Sequence, residues 1–230
     1  MSGRAEFDAF AKNYDEALSE GLSLTGEGPL VYAERRIAVT RKLISKHDFK
    51  ADRILDFGCG IGTSIPLLNV AFSPVELVGI DISIESLAEA RLNVGLQNVR
   101  FESVEQALLR NQVDLAYCNG VFHHIEPSKR ANACRMVFDA LRPGGFFAFW
   151  ENNPLNPGTR AVMARIPFDR NANPIFPGRA KKMLRQAGFR MEVIMSWFFF
   201  PRALAALRPL EPYLSWTLLG GQYLILARKQ

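Results

Sequence analysis

The stretch Arg53–Thr63 reads RILDFGCGIGT, and it decides the fold. A short apolar run, Ile54–Phe57, is followed by Gly58, Gly60 and Gly62. This pattern predicts a buried strand, a glycine-rich turn and the start of a helix. Glycine is needed where a ligand lies against bare backbone, because a Cβ atom would hold the ligand away. The stretch therefore predicts a ligand site at the carboxyl end of a parallel strand.

Two acidic residues indicate which ligand this is. Asp56 stands two residues before Gly58, and Asp81 ends a second apolar run, Leu77–Asp81. An acid at the end of the first strand repels a pyrophosphate but suits a cationic amine. An acid at the tip of the second strand accepts hydrogen bonds from ribose hydroxyls, and the glycine spacing differs from that of dinucleotide sites. An amine and a ribose at these places favour S-adenosylmethionine over NAD.

Three motifs in order carry a resemblance to a known family. The first two motifs, 56–62 (DFGCGIG) and 79–81 (GID), resemble the cofactor motifs of class I S-adenosylmethionine-dependent methyltransferases. The third, 141–145 (LRPGG), resembles the turn into the fifth strand of the same family. The resemblance spans residues 7–230. It implies an α/β fold, a Rossmann-like doubly wound sheet that is mostly parallel with an antiparallel strand at the edge. Strands that alternate with helices along the chain also predict a parallel doubly wound sheet.

The resemblance also implies the cofactor contacts. It assigns Gly58 and Gly60 to the methionine portion, Asp56 to its ammonium and Asp81 to the ribose hydroxyls. Glu105 stands where relatives often carry an aspartate near the adenine. Further cofactor contacts are expected at four places. They are Cys59 in the glycine turn, Ile82 and Val104 around the adenine, Asn119 at the tip of strand four and Tyr14 in the lid.

The acceptor side is expected at the tips of strands four and five. His123 and His124, two of the chain's three histidines, follow the predicted fourth strand. Histidine titrates near neutral pH, so we expect one of them to act as a general base and the other to pack beneath the following helix. Glu151, at the end of strand five, either orients or deprotonates the acceptor or only forms hydrogen bonds within its loop.

Four further stretches carry expectations about local structure. Residues 104–110 are expected to form a short helix, and 152–177 a long irregular loop whose Arg160, Arg165, Asp169 and Arg170 face the acceptor. A helix over 31–46 has a basic face that is expected to be solvated, formed by Arg35, Arg36, Arg41 and Lys42. Between 204 and 214, apolar residues recur at helical spacing. This spacing predicts either a stripe that faces the core or a surface that faces an apolar acceptor, and the core-facing stripe is the preferred interpretation.

The 230 residues are expected to form a single methyltransferase domain. Residues 1–50 form its N-terminal helical lid segment, and residues 51–230 form the cofactor-binding core with acceptor-side insertions at 152–177 and 201–220. Phe7, Phe10 and Tyr14 share one helix face, which suits either a lid over the cofactor or a helix docked on the domain.

Composition narrows the function further. Hydrophobic residues make up 48% and charged residues 22%, and the net charge is +5, without a basic run interleaved with aromatics. Nucleic acid is therefore a disfavoured partner. The three cysteines lack the spacing of a metal site or a disulfide framework, so no metal is expected. No signal peptide or apolar run of about 20 residues is visible, which predicts a cytoplasmic protein without a transmembrane segment.

These observations predict an S-adenosylmethionine-dependent methyltransferase that releases S-adenosyl-L-homocysteine. The expected acceptor is a small molecule or lipid-like compound, and O-methylation is preferred over N- or C-methylation. The alternatives are a non-catalytic S-adenosylmethionine-binding protein, a nucleic-acid or protein methyltransferase, and, less favoured, an NAD-dependent oxidoreductase. The identity of the acceptor and the oligomeric state stay open.

Overall fold

The computed structural model describes residues 14–73 and 75–230, and a seven-stranded sheet lies at its centre. Its strands are β1 (Arg53–Phe57), β2 (Glu76–Asp81), β3 (Val99–Ser103), β4 (Val113–Asn119), β5 (Leu141–Asn152), β6 (Phe189–Trp197) and β7 (Gln222–Lys229). Their spatial order is β3-β2-β1-β4-β5-β7-β6. Strands β1 to β5 pair in parallel, whereas β7 is antiparallel to both β5 and β6. The predicted fold class is confirmed.

Helices cover both faces of this sheet. They are α1 (Tyr14–Leu22), α2 (Pro29–Ile44), α3 (Ile65–Phe72), α4 (Ile84–Asn93), α5 (Arg130–Ala140), α6 (Pro157–Met163), α7 (Pro177–Gln186) and α8 (Glu211–Leu214). Short 3₁₀ segments lie at 23–25, 167–169, 202–210 and 215–217. Within the described ranges, no helix combines the length and the apolar composition that a bilayer-spanning helix needs. Phe7 and Phe10, expected on one helix face with Tyr14, lie outside the described residues.

The core consists of two apolar layers, one on each face of the sheet. Because side chains alternate along a strand, Leu55 and Phe57 pack with α5 and α7, while Ile54 packs on the other face with α2 and α3. Central parallel strands are buried on both faces, which explains their continuous apolar runs. Cys59 and Cys118, near the ends of β1 and β4, are buried free thiols.

The glycine turn closes over the end of β2. The backbone N–H groups of Gly58 and Cys59 both donate to the carbonyl of Ile80, at 2.8 and 3.0 Å. Gly58 has a φ of +73° and Gly60 a φ of +53°. A Cβ atom on Gly58 would lie 2.4 Å from a methyl carbon of Val121, whereas a Cβ atom on Gly60 would have no atom within 4 Å. Gly58 is thus needed for packing, and Gly60 faces open space.

Two expectations about local structure are wrong. Residues 104–110 form a turn and an irregular segment rather than a helix. Burial alternates there, with Ala107 and Leu109 buried and Leu108 exposed, which is an extended and not a helical pattern. In the expected irregular loop, Asn156 starts helix α6, because its side chain accepts a hydrogen bond from the Thr159 N–H and Pro157 occupies the first turn.

Two expectations about burial are also wrong. The apolar stripe that begins at Leu204 points outward and not into the core. Residues 202–210 form a 3₁₀ segment with a kink at Leu204 and without any buried residue, and the buried positions nearby are Glu211 and Ser215. The basic face of α2 is not fully solvated either, because Arg36 is only 7% exposed.

We predict that Gly58→Ala lowers the free energy of unfolding by about 3 kcal/mol, because left-handed backbone strain adds to the overlap with Val121. Gly60→Ala is the matched control and should cost about 1 kcal/mol, since only the backbone strain applies. Urea unfolding of both variants measures the difference. Equal losses would contradict the packing role of Gly58.

Candidate active site

A cleft of about 70 Å³ lies beside the glycine turn, at the carboxyl ends of β1 and β4. Asp56, Gly58 and Gly60 line it from the first strand and its turn, Asn119 lines it from β4, and Arg36 reaches it from α2. This is the edge at which open α/β sheets bind ligands. The structure therefore brings together the residues that the sequence predicted for the methionine end of the cofactor, including Cys59.

Asp56 is buried without a full set of partners. Its side chain is 3% exposed, and one carboxylate oxygen, Oδ2, has no hydrogen-bond partner among the described residues. Burial, with the negative charge of Asp81 as a second cause, raises the pKa of Asp56 to about 7. A buried carboxylate in this position is stabilised by a cation that enters the cleft.

Arg36 is a functional candidate that the sequence analysis missed. Its Nη1 donates to Gln222 Oε1 at 3.0 Å, while its buried Nε has no partner among the described residues. Thr40, one turn later, accepts a hydrogen bond from Trp150 Nε1 at 3.0 Å and so fixes this face of α2 against β5. The apolar positions Ala33 and Ile37 are the sequence signal that this face looks inward.

Asp56 and Arg36 together fit the amino-acid end of S-adenosylmethionine. The carboxylate of Asp56 would hold the ammonium group, and the guanidinium of Arg36 would hold the carboxylate. Both residues carry a buried atom without a partner, and Gly60 leaves the space beside them open. Asn119 contributes a further buried acceptor without a partner, its Oδ1.

The predicted ribose and adenine contacts lie together next to the same turn. Asp81 accepts hydrogen bonds from the Gly60 N–H at 2.8 Å and the Ser83 N–H at 2.9 Å, so its carboxylate is held in place. The Val104 N–H donates to the Asp81 carbonyl at 3.0 Å. Ile82 is 65% exposed, an apolar surface suited to an adenine ring. Glu105 is exposed in the turn after β3.

A larger chamber of about 330 Å³ adjoins the cleft. Both cavities are lined by Tyr14, Leu18, Pro29, Arg36 and Asn119, so these residues form the boundary between them. The ring of Tyr14 stacks on Phe168, with centroids 5.0 Å apart and planes 8° from parallel. Burial, with the charges of Asp169 and Asp81, raises the pKa of Tyr14, so its phenol is neutral.

A cluster of two acids and two histidines lies at one wall of the chamber, and three of its members, His123, His124 and Asp169, line the wall. His123 Nδ1 lies 2.6 Å from Glu151 Oε2, and His123 Nε2 lies 3.3 Å from Asp169 Oδ1. The same Asp169 oxygen lies 3.1 Å from His124 Nε2. The position of Asp169 beside both histidines agrees with the expectation that it faces the acceptor side. Arg160, Arg165 and Arg170 are exposed and do not line the chamber, so that part of the expectation is wrong.

The two histidines differ in charge. Burial alone would lower the pKa of His123, but Glu151 and Asp169 outweigh it and raise the pKa to about 10. His123 is thus an imidazolium, and both of its ring nitrogens donate. His124 has a lowered pKa because burial outweighs its hydrogen bond to Asp169. Although burial opposes it, bonding to both histidines lowers the pKa of Asp169 to about 2.

Glu151 is completely buried and serves the turn after β4. Its Oε1 accepts hydrogen bonds from the backbone N–H groups of Phe122 and His123, at 2.7 and 3.3 Å, and its Oε2 accepts from the Asn152 N–H at 3.2 Å. It does not line the chamber, whereas the partly exposed His124 does. This geometry supports a positioning role for Glu151 rather than direct contact with an acceptor.

Among the described residues, the group that could hold a metal ion consists of His123, His124 and Asp169. Their ligand atoms lie within 4.8 Å of one another, and two imidazoles with one carboxylate suit a divalent transition metal. Asp169 Oδ1, however, already lies at hydrogen-bond distance from both imidazoles. The absence of a metal therefore stays a prediction.

The known proteins similar to this chain include methyltransferases and a carboxy-S-adenosyl-L-methionine synthase. A family model described as a methyltransferase domain matches residues 54–145. A trans-aconitate 2-methyltransferase of Variovorax paradoxus is 30% identical over 191 residues, which are 76% of this chain and 72% of that protein. A carboxy-S-adenosyl-L-methionine synthase of Campylobacter curvus is 30% identical over 101 residues, and the match spans only 43% of its length.

Solved structures share the fold at low sequence identity. A methyltransferase solved in complex with the Haloferax volcanii Trm112 activator is 17% identical, with a TM-score of 0.67 and 99% of each chain covered. An S-adenosylmethionine-dependent methyltransferase of Mesorhizobium loti is 21% identical, with a TM-score of 0.60, covering 83% of this chain and 96% of the other. With the cleft described above, these matches lead to one conclusion. The chain belongs to the class I S-adenosylmethionine-dependent methyltransferases and is an enzyme that uses S-adenosylmethionine as its cofactor.

Proposed function

We propose that the enzyme methylates an oxygen atom of a small-molecule or lipid-like acceptor bound in the 330 Å³ chamber. The observation that carries this proposal is the position of the chamber between the cofactor cleft and the His124–Asp169 pair. Methyl transfer requires donor and acceptor to meet in line at about 3 Å. A chamber that adjoins the cleft through Tyr14 and Asn119 suits that requirement.

The size and lining of the chamber support a compact acceptor. Its volume is at the lower end of the range for small-molecule pockets, which is about 300–1,000 Å³. Its apolar lining includes Leu18, Val162, Ile166 and Phe199. The name of the Variovorax relative gives a small acceptor, trans-aconitate, for that protein. A polynucleotide or protein acceptor is the weaker alternative, because only a flipped base or an extended side chain would enter such a space.

The N-terminal elements support the expected lid. Leu18 of α1 and Leu24 of the following 3₁₀ segment line the chamber. Glu27 pairs with Arg208 at 2.7 Å, and Arg35 pairs with Glu211 at 2.6 Å. These two ion pairs tie the N-terminal segment to residues 202–214, so both sides of the chamber are held together.

In the proposed mechanism, S-adenosylmethionine supplies an activated methyl group on a sulfonium, so the leaving group needs no protonation. Asp56 and Arg36 would hold its amino-acid end, and Asp81 would hold the ribose. His124 would take the proton from the acceptor hydroxyl while the methyl group passes from sulfur to the acceptor oxygen, and the electron pair of the broken sulfur–methyl bond would stay on sulfur. Asp169 stabilises the imidazolium that results. The imidazolium of His123 positions Asp169. The carboxylate of Glu151 positions the turn that carries both histidines.

We predict that Asp56→Asn separates folding from cofactor binding. The folded-state pKa of Asp56, about 7, lies above its ordinary value of 3.8. The stability that this group contributes is therefore full below pH 3.8 and is lost as the pH rises through 7. The variant should be more stable than the wild type at pH 8, by on the order of 2 kcal/mol, and nearly equal to it at pH 3.5.

The same variant should bind S-adenosylhomocysteine about tenfold more weakly at pH 7.5, because the charge on Asp56 is lost. Wild-type affinity should also fall between pH 7.5 and 5.5, as Asp56 becomes protonated. Thermal unfolding and calorimetric titration measure these effects, and the exposed Asp52→Asn is the control. Unchanged affinity in Asp56→Asn would contradict the ammonium contact.

We predict that His124→Gln and Asp169→Asn lower kcat by about 100-fold while the affinity for S-adenosylhomocysteine stays within about twofold. The variant His47→Gln changes the third histidine, which lies outside the chamber, and should match the wild type. Transfer of a labelled methyl group to a panel of phenols, hydroxy acids and hydroxylated lipids provides the assay. Chelator treatment should leave the rate unchanged.

The pH dependence of kcat provides a second readout. The wild type should lose activity at low pH as His124 becomes protonated, and His124→Gln should lack this limb. The proposal is contradicted if His124→Gln turns over at the wild-type rate, or if the labelled product carries the methyl group on nitrogen or carbon. A rate that a chelator abolishes would identify the histidine cluster as a metal site instead.

A further inference from the structure

Aromatic side chains form a large part of the wall of the 330 Å³ chamber. They come from α1, α2, the 3₁₀ segment at 167–169 and the residues that follow β6: Tyr14, Tyr32, Phe168, Phe198, Phe199 and Phe200. Aromatic rings attract one another in offset-stacked and edge-to-face arrangements, in addition to the area that they bury. A ligand with an aromatic ring therefore gains more from this wall than a saturated ligand of the same size.

Phe198 has the most unusual backbone conformation of these residues. Its φ is +66°, in the left-handed region that a bulky side chain rarely adopts. The guanidinium carbon of Arg35 lies 4.8 Å from its ring centroid, and the rings of Tyr32 and Trp150 lie 5.0 and 6.1 Å away. Phe198 is nevertheless partly exposed and lines the chamber. Strained residues that their surroundings hold in place cluster at ligand-binding sites, so this conformation indicates a binding role.

One buried carboxylate fixes the surroundings of Phe198. Glu211 is 1% exposed, and its Oε2 accepts a hydrogen bond from Arg35 Nη2 at 2.6 Å. Its Oε1 accepts from the backbone N–H groups of Phe199 and Phe200, at 3.1 and 3.4 Å. Glu211 thus holds both the guanidinium beside Phe198 and the two residues that follow Phe198. Because the ring is in place before an acceptor enters, less conformational entropy is lost on binding.

The proposed base also favours an aromatic acceptor. The imidazolium of an ordinary histidine has a pKa of about 6.5, and a phenol such as that of tyrosine has a pKa of about 10. An aliphatic hydroxyl is closer to water, whose pKa is about 15.7. Proton transfer to a general base is easier when the two pKa values are closer. His124 is therefore better matched to a hydroxyl on an aromatic ring.

We propose that the acceptor carries an aromatic ring and that Phe198 recognises this ring. The inference rests on the proposed O-methylation in the same chamber, and with that reaction it makes the acceptor a phenol. The hydroxyl proton passes to His124, the oxygen forms its bond to the methyl carbon, and the electron pair of the broken sulfur–methyl bond stays on sulfur. Phe198 determines specificity, and Glu211 is a positioning residue because it acts through Arg35.

Two compounds with the same carbon skeleton, 2-naphthol and decahydro-2-naphthol, test ring recognition. In calorimetric titration of the wild-type complex with S-adenosylhomocysteine, 2-naphthol should bind about fivefold more tightly than the saturated compound. Phe198→Leu keeps an apolar side chain and should remove this preference by weakening the binding of 2-naphthol alone. The matched control Phe176→Leu changes a phenylalanine that is 46% exposed and lies outside the chamber, and it should behave as the wild type does.

Steady-state transfer of a labelled methyl group to 2-naphthol tests the positioning role. Glu211→Gln keeps an acceptor for the two backbone N–H groups but loses the charge that holds Arg35. It should raise the KM for 2-naphthol about threefold while kcat stays within about twofold, because ring binding weakens equally in the ground state and the transition state. Equal affinity for S-adenosylhomocysteine in all variants verifies that they are folded.

The possible results distinguish ring recognition from the proposed reaction. Equal binding of the two compounds, binding of neither, or an unchanged preference in Phe198→Leu would overturn the inference. If 2-naphthol binds in the expected ring-dependent way but receives the labelled methyl group on a ring carbon, ring recognition by Phe198 is supported and only the O-methylation is overturned.

Discussion

Two buried groups of opposite charge, the carboxylate of Asp56 and the guanidinium of Arg36, line one cleft, and each keeps an atom without a hydrogen-bond partner among the described residues. Burying such atoms has a cost that the fold alone does not offset. A zwitterionic ligand that places its ammonium at Asp56 and its carboxylate at Arg36 removes this cost. We propose that the cofactor site depends on this complementarity, and the glycine turn leaves open space beside it.

The acceptor side depends on a different arrangement of charge. Glu151, His123, Asp169 and His124 form a continuous hydrogen-bonded series that runs from the buried end of β5 to the chamber wall. Because His123 is held as an imidazolium between two carboxylates, it cannot accept a further proton. His124 has a lowered pKa and lines the chamber, so it is our candidate for the proposed base. The sequence analysis expected one histidine to act as the base and the other to pack beneath the following helix, without assigning the two roles.

Local motifs could be predicted from the sequence, and distant partners could not. The glycine turn and the two strand-end acids, Asp56 and Asp81, are defined within a few residues, so their positions followed directly. Arg36 reaches the cleft only because Thr40 fixes α2 against Trp150, a contact between residues far apart in the chain. Asp169 meets His123 through the fold of the 152–177 segment, whose helix α6 starts at an Asn-Pro-Gly sequence that also suits a turn.

The apolar stripe was misinterpreted for a physical reason. Apolar residues three or four positions apart are typical of a helix packed on the core, but residues 202–210 form a kinked 3₁₀ segment without any buried residue, and the sequence does not distinguish the two. The buried members of this segment, Glu211 and Ser215, are polar and bonded internally. Their burial leaves the apolar positions exposed, against the usual expectation that leucine lies inside.

Calorimetric titration tests most directly the claim that the cleft binds the amino-acid end of S-adenosylmethionine. The wild type and Arg36→Gln are titrated with S-adenosylhomocysteine, and the wild type is also titrated with NAD. The account predicts that the wild type binds one equivalent of S-adenosylhomocysteine, that Arg36→Gln binds it about tenfold more weakly, and that NAD gives no heat. Binding of NAD, or an affinity for S-adenosylhomocysteine that does not change in Arg36→Gln, would contradict the assignment of the cleft to the amino-acid end of the cofactor.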